Sequence, residues 1–209
     1  MNLFGNSEDH WVTSLKRDKS SGMRKIKVDD CVCQGELFDH TRIKNKILSE
    51  IENDECNETS GGDLEYKVDD KVSKLDWTKA SDFTRPWIKI FLPNFKKTVN
   101  GFLGNLGYET YTLEQMWYQQ YLEGDTHGWH THSSTYTGVY YLEFPKGSSR
   151  TELYSPFNFK KHTITSKEGD IIIFPSHWIH RGPPNSSNRK TIISFNFKVD
   201  FWNRAIPTK

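Results

Sequence analysis

His130 and His132 stand one residue apart in the segment GDTHGWHTHSS, and His180 closes the segment GDIIIFPSHWIH about fifty residues later. Neutral imidazoles are the commonest protein ligands for transition metals. A regular strand points residues i and i+2 to one face, so two histidines at this spacing can grip the same ion. A third from another strand completes a facial set and leaves the opposite positions free for water, substrate or oxygen. A His-x-His pair in a polar turn is by itself an ordinary loop. The distant His180, placed after a Gly-Asp-apolar-Pro run, makes the three a candidate metal site. His177 reads as a surface or neighbouring residue, and His10, His40 and His162, without partners in sequence, read as solvated.

Beyond His180 the chain continues RGPPNSSNRKT. The Pro-Asn-Ser loop predicts a hairpin whose returning strand opens at Arg189 and lies close to His180. A guanidinium at the mouth of an apolar cavity suits a bidentate grip on a carboxylate, and strand alternation gives Thr191 the same face. Lys160, Lys161 and Arg150 fall near turns around the same mouth, where solvated loop charge is the ordinary reading.

The elements that must position these groups are mainly strands. After Tyr108, short β-rich runs follow one another with turn residues between them: TLEQMWYQQYL, TYTGVYYLEF, TELYS, HTITS, DIIIF and KTIISFNFKV. That spacing argues for an antiparallel sandwich or barrel over residues 108–200. Upstream, Ile26 and Val28 suggest an edge strand. Ile43, Ile47, Leu48 and Ile51 fall at helical spacing, with Asp39 or Thr41 as cap. A polar stretch, NDECNETSGGD, reads as a loop. A second helix is expected over 87–106, with Pro93 kinking it or starting its main part and Gly107 as the stop. The two helices are expected on one outer face of the sandwich, and residues 1–107 as a region supporting the core and shaping one rim of its pocket. The whole chain, 1–209, is expected to be a single domain.

Composition narrows the function classes. Twenty-eight Lys+Arg against 27 Asp+Glu leave a net charge of +1, so no global field points to nucleic acid or an anionic membrane. Seven Trp, nine Tyr and thirteen Phe supply large buried surfaces in a chain only 34% hydrophobic. No stretch reaches the roughly 18 apolar residues of a membrane span, and the start MNLFGNSEDHW lacks the layout of a secretory signal. Cys31, Cys33 and Cys56 form no disulfide framework, which suits a reducing compartment and a cytoplasmic location.

The histidine spacing, the Arg-x-Thr pair and the strand order together resemble the iron(II)/2-oxoglutarate-dependent oxygenase superfamily, over residues 108–200. That resemblance implies a mainly β (α+β) fold with a double-stranded β-helix, or jelly-roll, core. His130 and His180 match two metal ligands of the family's signature, and Arg189 with Thr191 matches its 2-oxoglutarate-carboxylate site. Tyr121, nine residues before His130, matches a tyrosine that reaches the cosubstrate in some branches. The runs TGVYYL (137–142) and GDIIIFPSHWIH resemble a subgroup of small members from bacteria and their phages. Where most members carry Asp, this chain carries His132, which the subgroup shares; His132 is read here as the third ligand. The resemblance implies Fe(II), 2-oxoglutarate and O2 as reactants, succinate and CO2 as products, and hydroxylation of an unidentified small molecule, nucleotide or peptide side chain. Trp129, Trp178, Tyr140 and Tyr141 flank the ligands and are candidates for the pocket wall.

Two other readings fit parts of the pattern. Gly124-x5-His130-x-His132 with Gly169-x5-Pro175-x4-His180 follows the two motifs of cupins in outline, which implies a three-histidine dioxygenase needing no cosubstrate. The glutamate expected four or five residues after the second histidine is absent, since Tyr136 and Thr137 stand there, and Arg189 has no task in that scheme. A jelly-roll binding module without chemistry is the other, which leaves the pattern of His130, His180 and Arg189 unexplained. Structural zinc at Cys31-x-Cys33 lacks a second pair of ligands.

Overall fold

In a computed structural model, twelve strands and two long helices are built from the residues that the structure describes, 24–199 apart from 29, 56–57, 61–69, 107 and 109. His10, Cys56 and Gly107 lie outside the described residues, as does the side chain of Cys31. The strands are β1 (Arg24–Val28), β2 (Asp30–Glu36), β3 (Glu58–Ser60), β4 (Val72–Leu75), β5 (Tyr111–Leu122), β6 (His127–His130), β7 (Tyr136–Glu143), β8 (Glu152–Tyr154), β9 (Lys161–Thr163), β10 (Asp170–Pro175), β11 (Ile179–Gly182) and β12 (Arg189–Val199). The helices are α1 (His40–Asn53) and α2 (Pro86–Asn105).

Two antiparallel sheets face each other. The larger has the order β1-β2-β10-β7-β12-β5-β4-β3, and the smaller β6-β11-β8-β9. This is the expected jelly-roll, with the helices covering the outer face of the larger sheet. Strand alternation divides the apolar residues between two cores. From β12, Ile193, Phe195 and Phe197 pack against Phe91, Phe95 and Val99 of α2, while Ile192 turns inward to meet Val139, Tyr141 and Phe174 between the sheets. A strand buried on both faces reads as a nearly unbroken apolar run, which is why DIIIF and TIISF are so legible. Gly138 on β7 permits this packing, because a Cβ there would lie 2.3 Å from the Phe195 ring and 2.5 Å from the Ile172 carbonyl oxygen.

The helices depart from expectation in detail. Asp39 occupies the position before α1 in the left-handed region, φ 58°, but makes no side-chain cap bond; its carboxylate pairs with Arg42 at 2.7 Å. α2 begins with Pro86 in its first turn and runs without a break through Pro93. The stretch expected as a loop contains β3, which pairs with β4, a strand with no clear period in sequence. Nor is His40 solvated: it is held by the Tyr140 hydroxyl at 2.6 Å and stands 3.5 Å from Glu168. His162 is half-buried beside Trp178.

Candidate metal centre

β6 and β11 are neighbours in the smaller sheet, and His130 pairs directly with His180 across the ladder. Inward alternation carries both imidazoles into the space between the sheets, while Trp129 and Ile179 turn outward and remain exposed. His132 arrives by another route. β6 ends at His130, and His132 lies in the following loop, its N–H bonded to the Ser176 carbonyl at 3.0 Å. The pair therefore converges through loop hydrogen bonding rather than through strand alternation. One ligand atom from each of His130, His132 and His180 falls within 4.8 Å of the others. His177 is exposed and takes no part.

Turn and loop chemistry that the sequence reading missed holds β6 in place. The buried Asp125 carboxylate accepts from the backbone N–H of Ser73 at 3.0 Å and of Leu122 at 2.9 Å, and stands 3.3 Å from the Lys71 ammonium. Asn185, in the loop before β12, accepts from the Gly124 N–H and donates to the Asp125 carbonyl, both at 2.8 Å. His127, the first residue of β6, stacks its ring edge on His130 with centroids 4.1 Å apart and faces Asp70 at 3.2 Å. The signal for Asp125 was the Gly-Asp turn just ahead of the histidines.

Burial governs the electrostatics. Desolvation, reinforced by the neighbouring His180 and His127, pushes the His130 pKa down to about 2. Burial likewise lowers His180 to about 3 and His132 to about 4. All three are neutral near pH 7, the form that donates a lone pair to a metal.

The three histidines open on a cavity between the sheets. Its wall is built from alternate residues of β5 (Trp117, Gln119, Tyr121) and β12 (Lys190, Ile192, Ser194), and among the described residues its lining lies between 117 and 194, with none from the first hundred. Trp129, Trp178, Tyr140 and Tyr141 do not line it either, because alternation sends them outward or into the two cores.

Tyr121 stands in the cavity wall, 1% exposed, with burial raising its pKa. Arg189 and Thr191 do not. β12 pairs with β5 and β7 in the larger sheet, not with β11, so the hairpin that was to bring Arg189 beside His180 is absent. Arg189 lies on the helix side, forking onto Glu143 at 2.8 and 2.9 Å and reaching Glu52 of α1 at 3.1 Å. Thr191 donates to the same Glu143 at 2.9 Å. Alternation gives the cavity to the residue between them. Lys190 is 2% exposed, its ammonium 4.2 Å from the Tyr121 ring centroid and 3.2 Å from the Ser149 carbonyl. Among the described residues no carboxylate pairs with it, and burial pushes its pKa down to about 8.

No family model and no curated protein matches this sequence. Solved structures do. A prolyl hydroxylase from Trichoplax adhaerens, in complex with a hypoxia inducible factor oxygen degradation domain peptide fragment, aligns with TM-score 0.59 at 19% identity, over 80% of this chain and 83% of that one. A Pseudomonas putida prolyl-4-hydroxylase aligns with TM-score 0.58 at 12% identity, over 80% and 91%. The viral collagen prolyl hydroxylase of Paramecium Bursaria Chlorella virus-1, a 2OG complex, aligns with TM-score 0.55 at 16% identity, over 81% and 96%. At such identities the likeness is one of fold.

Proposed function

We propose that the protein is an Fe(II)- and 2-oxoglutarate-dependent oxygenase that hydroxylates a C–H bond of a substrate not yet identified. The observation that carries this reading is one cavity with three neutral imidazoles converging on it and, in its wall, a buried lysine that has no carboxylate partner among the described residues. The donor set suits the metal: imidazole is a good ligand for Fe(II), and His130, His132 and His180 would hold it. Three neutral ligands leave the dication uncompensated, and a dianionic keto acid brings the missing charge.

When bound, Fe(II) with 2-oxoglutarate and O2 supplies the oxidation: one oxygen atom enters the substrate C–H, and the other leaves in succinate as CO2 is released. The residues of the chain do the rest. Lys190 holds the far carboxylate as its ion-pair partner, replacing Arg189 in that role. The Tyr121 hydroxyl and the Thr151 hydroxyl, which accepts from Tyr141 at 2.7 Å, are available to donate to the same group. Ile192, Val139 and Trp117 keep the wall dry and strengthen these contacts. Because one fold neighbour is a complex with a peptide, peptide side chains belong among the first substrates to test, beside nucleotides and small molecules. No described helix is long and apolar enough to cross a membrane. Three cysteines with no framework spacing support the reducing cytoplasm as the location.

Anaerobic addition of Fe(II) and then 2-oxoglutarate tests the reading. The weak visible charge-transfer band of a chelated keto acid is expected in the wild type and in Arg189→Ala, and only at much higher 2-oxoglutarate in Lys190→Ala. Bound iron without a band would favour the three-histidine dioxygenase that uses no cosubstrate.

A further inference from the structure

Two of the three clustered imidazoles are already held in the tautomer that a metal requires. Nδ1 of His130 lies 2.8 Å from the Gly128 carbonyl oxygen, and Nδ1 of His180 lies 2.9 Å from that of Trp178. A carbonyl can only accept, so each Nδ1 carries the proton and each Nε2 keeps its lone pair for an ion. His132 has no such carbonyl among the described residues. Its Nδ1 instead faces the side-chain amide of Asn196, with Nδ2 at 3.5 Å.

Asn196 is 2% exposed, and its Oδ1 is buried without a hydrogen-bond partner. Its Nδ2 donates to Gln115 Oε1 at 2.9 Å. This orientation leaves a buried acceptor unused and turns an N–H toward a nitrogen that must carry its own proton once Nε2 coordinates. A half-turn of the carboxamide exchanges oxygen and nitrogen without changing its shape. Oδ1 then faces the His132 Nδ1–H. The same half-turn of Gln115, the cross-strand partner of Asn196, offers an Nε2–H to that oxygen as well. A β-bulge between Asn196 and Phe197 makes the arrangement possible, because the extra residue on β5, Glu114, keeps Gln115 on the cavity face while Leu113 stays with the helix-side core.

We propose that Asn196 is a positioning residue of the metal centre: with an ion bound, its side-chain carbonyl accepts the Nδ1–H of His132, as the Gly128 and Trp178 carbonyls do for the other two histidines. The inference rests on the reading that the three histidines hold a metal.

The test uses Co(II) alone, titrated into the metal-free full-length chain and followed by its visible absorption, with 15N-histidine spectra of the Zn(II)-loaded protein reporting each tautomer. Nδ1–H is expected for all three ligands. Asn196→Leu is expected to bind Co(II) about 10- to 100-fold more weakly. Asn196→Asp is expected to bind it at least as tightly as the wild type, since a carboxylate accepts the same proton more strongly. Equal affinity in the wild type and Asn196→Leu, weaker binding by Asn196→Asp, or a proton on Nε2 of His132 in the Zn(II) form would each overturn the role of Asn196 alone. Should Asn196→Leu not fold, the tautomer and Asn196→Asp decide. A wild type that binds no Co(II) overturns the metal reading itself, and this inference with it.

Discussion

Lys190 and Arg189 are adjacent cations with opposite surroundings, and the difference is one of protonation as well as of direction. Arg189 is saturated by Glu143 and Glu52, whereas burial, with no counter-ion among the described residues, lowers Lys190 to about 8. An anionic ligand at Lys190 needs the ammonium. Below pH 8 the lysine is already protonated, and binding is insensitive to pH. Above pH 8 a proton must be taken up on binding, so affinity for 2-oxoglutarate should fall by up to about tenfold per pH unit. Calorimetric titration between pH 6.5 and 9.5 checks this. The proton uptake should vanish in Lys190→Arg, which stays charged throughout, and a flat wild-type profile would remove Lys190 from the site.

At the scale of elements, the sheet that carries the cavity wall is locked to α2 by a buried ion pair. Asp76, which precedes a short 3-10 turn after β4, pairs with Arg85 at the start of α2. Its carboxylate also accepts from the Trp87 indole at 3.1 Å and from the Tyr118 N–H of β5 at 2.7 Å. Both residues are nearly inaccessible to solvent, so removing one partner strands a charge in the interior. Asp76→Ala should destabilise the fold by about 3–5 kcal/mol, read by denaturant unfolding. Because β5 bears Trp117, Gln119 and Tyr121, the loosened variant should also show weakened 2-oxoglutarate binding. A loss below about 1 kcal/mol would mean that the pair contributes no more than a surface one.

For the whole molecule, the histidines come from the smaller sheet and its loop and Lys190 from the larger, so ligands that engage both bind the closed sandwich and not the unfolded chain. Fe(II) together with 2-oxoglutarate, each at about 100 times its dissociation constant, should add about 2.7 kcal/mol per ligand. For a domain of this size that corresponds to a melting shift of roughly 5–10 °C for each. Anaerobic thermal unfolding measures it, and a chelator should reverse the metal's share. A shift unchanged by Lys190→Ala would show that the cosubstrate is not anchored across the two sheets.

Much of this was legible in the chain itself. DIIIF announces a doubly buried strand because its apolar run is unbroken, KTIISFNFKV is recognisable as a β-rich run, and the α1 and α2 stripes show their faces because helical periodicity survives in Ile43, Ile47, Phe91 and Phe95. The three histidines could be singled out because their chemistry is rare and their spacing unusual, and Tyr121 through the family resemblance. What the chain alone left open was the side of the sheet on which a residue falls. Arg189, Lys190 and Thr191 are consecutive, and a shift of one residue exchanges every face. Only the pairing of β12 with β5 and β7 decides that Lys190 turns inward and Arg189 toward the helices. The same holds for Asn196, whose place beside His132 depends on a bulge and on a loop bonded to Ser176. Residue type and period are local properties and are written in the sequence, whereas register and convergence arise from contacts between residues far apart in it, and only the folded sheets supply them.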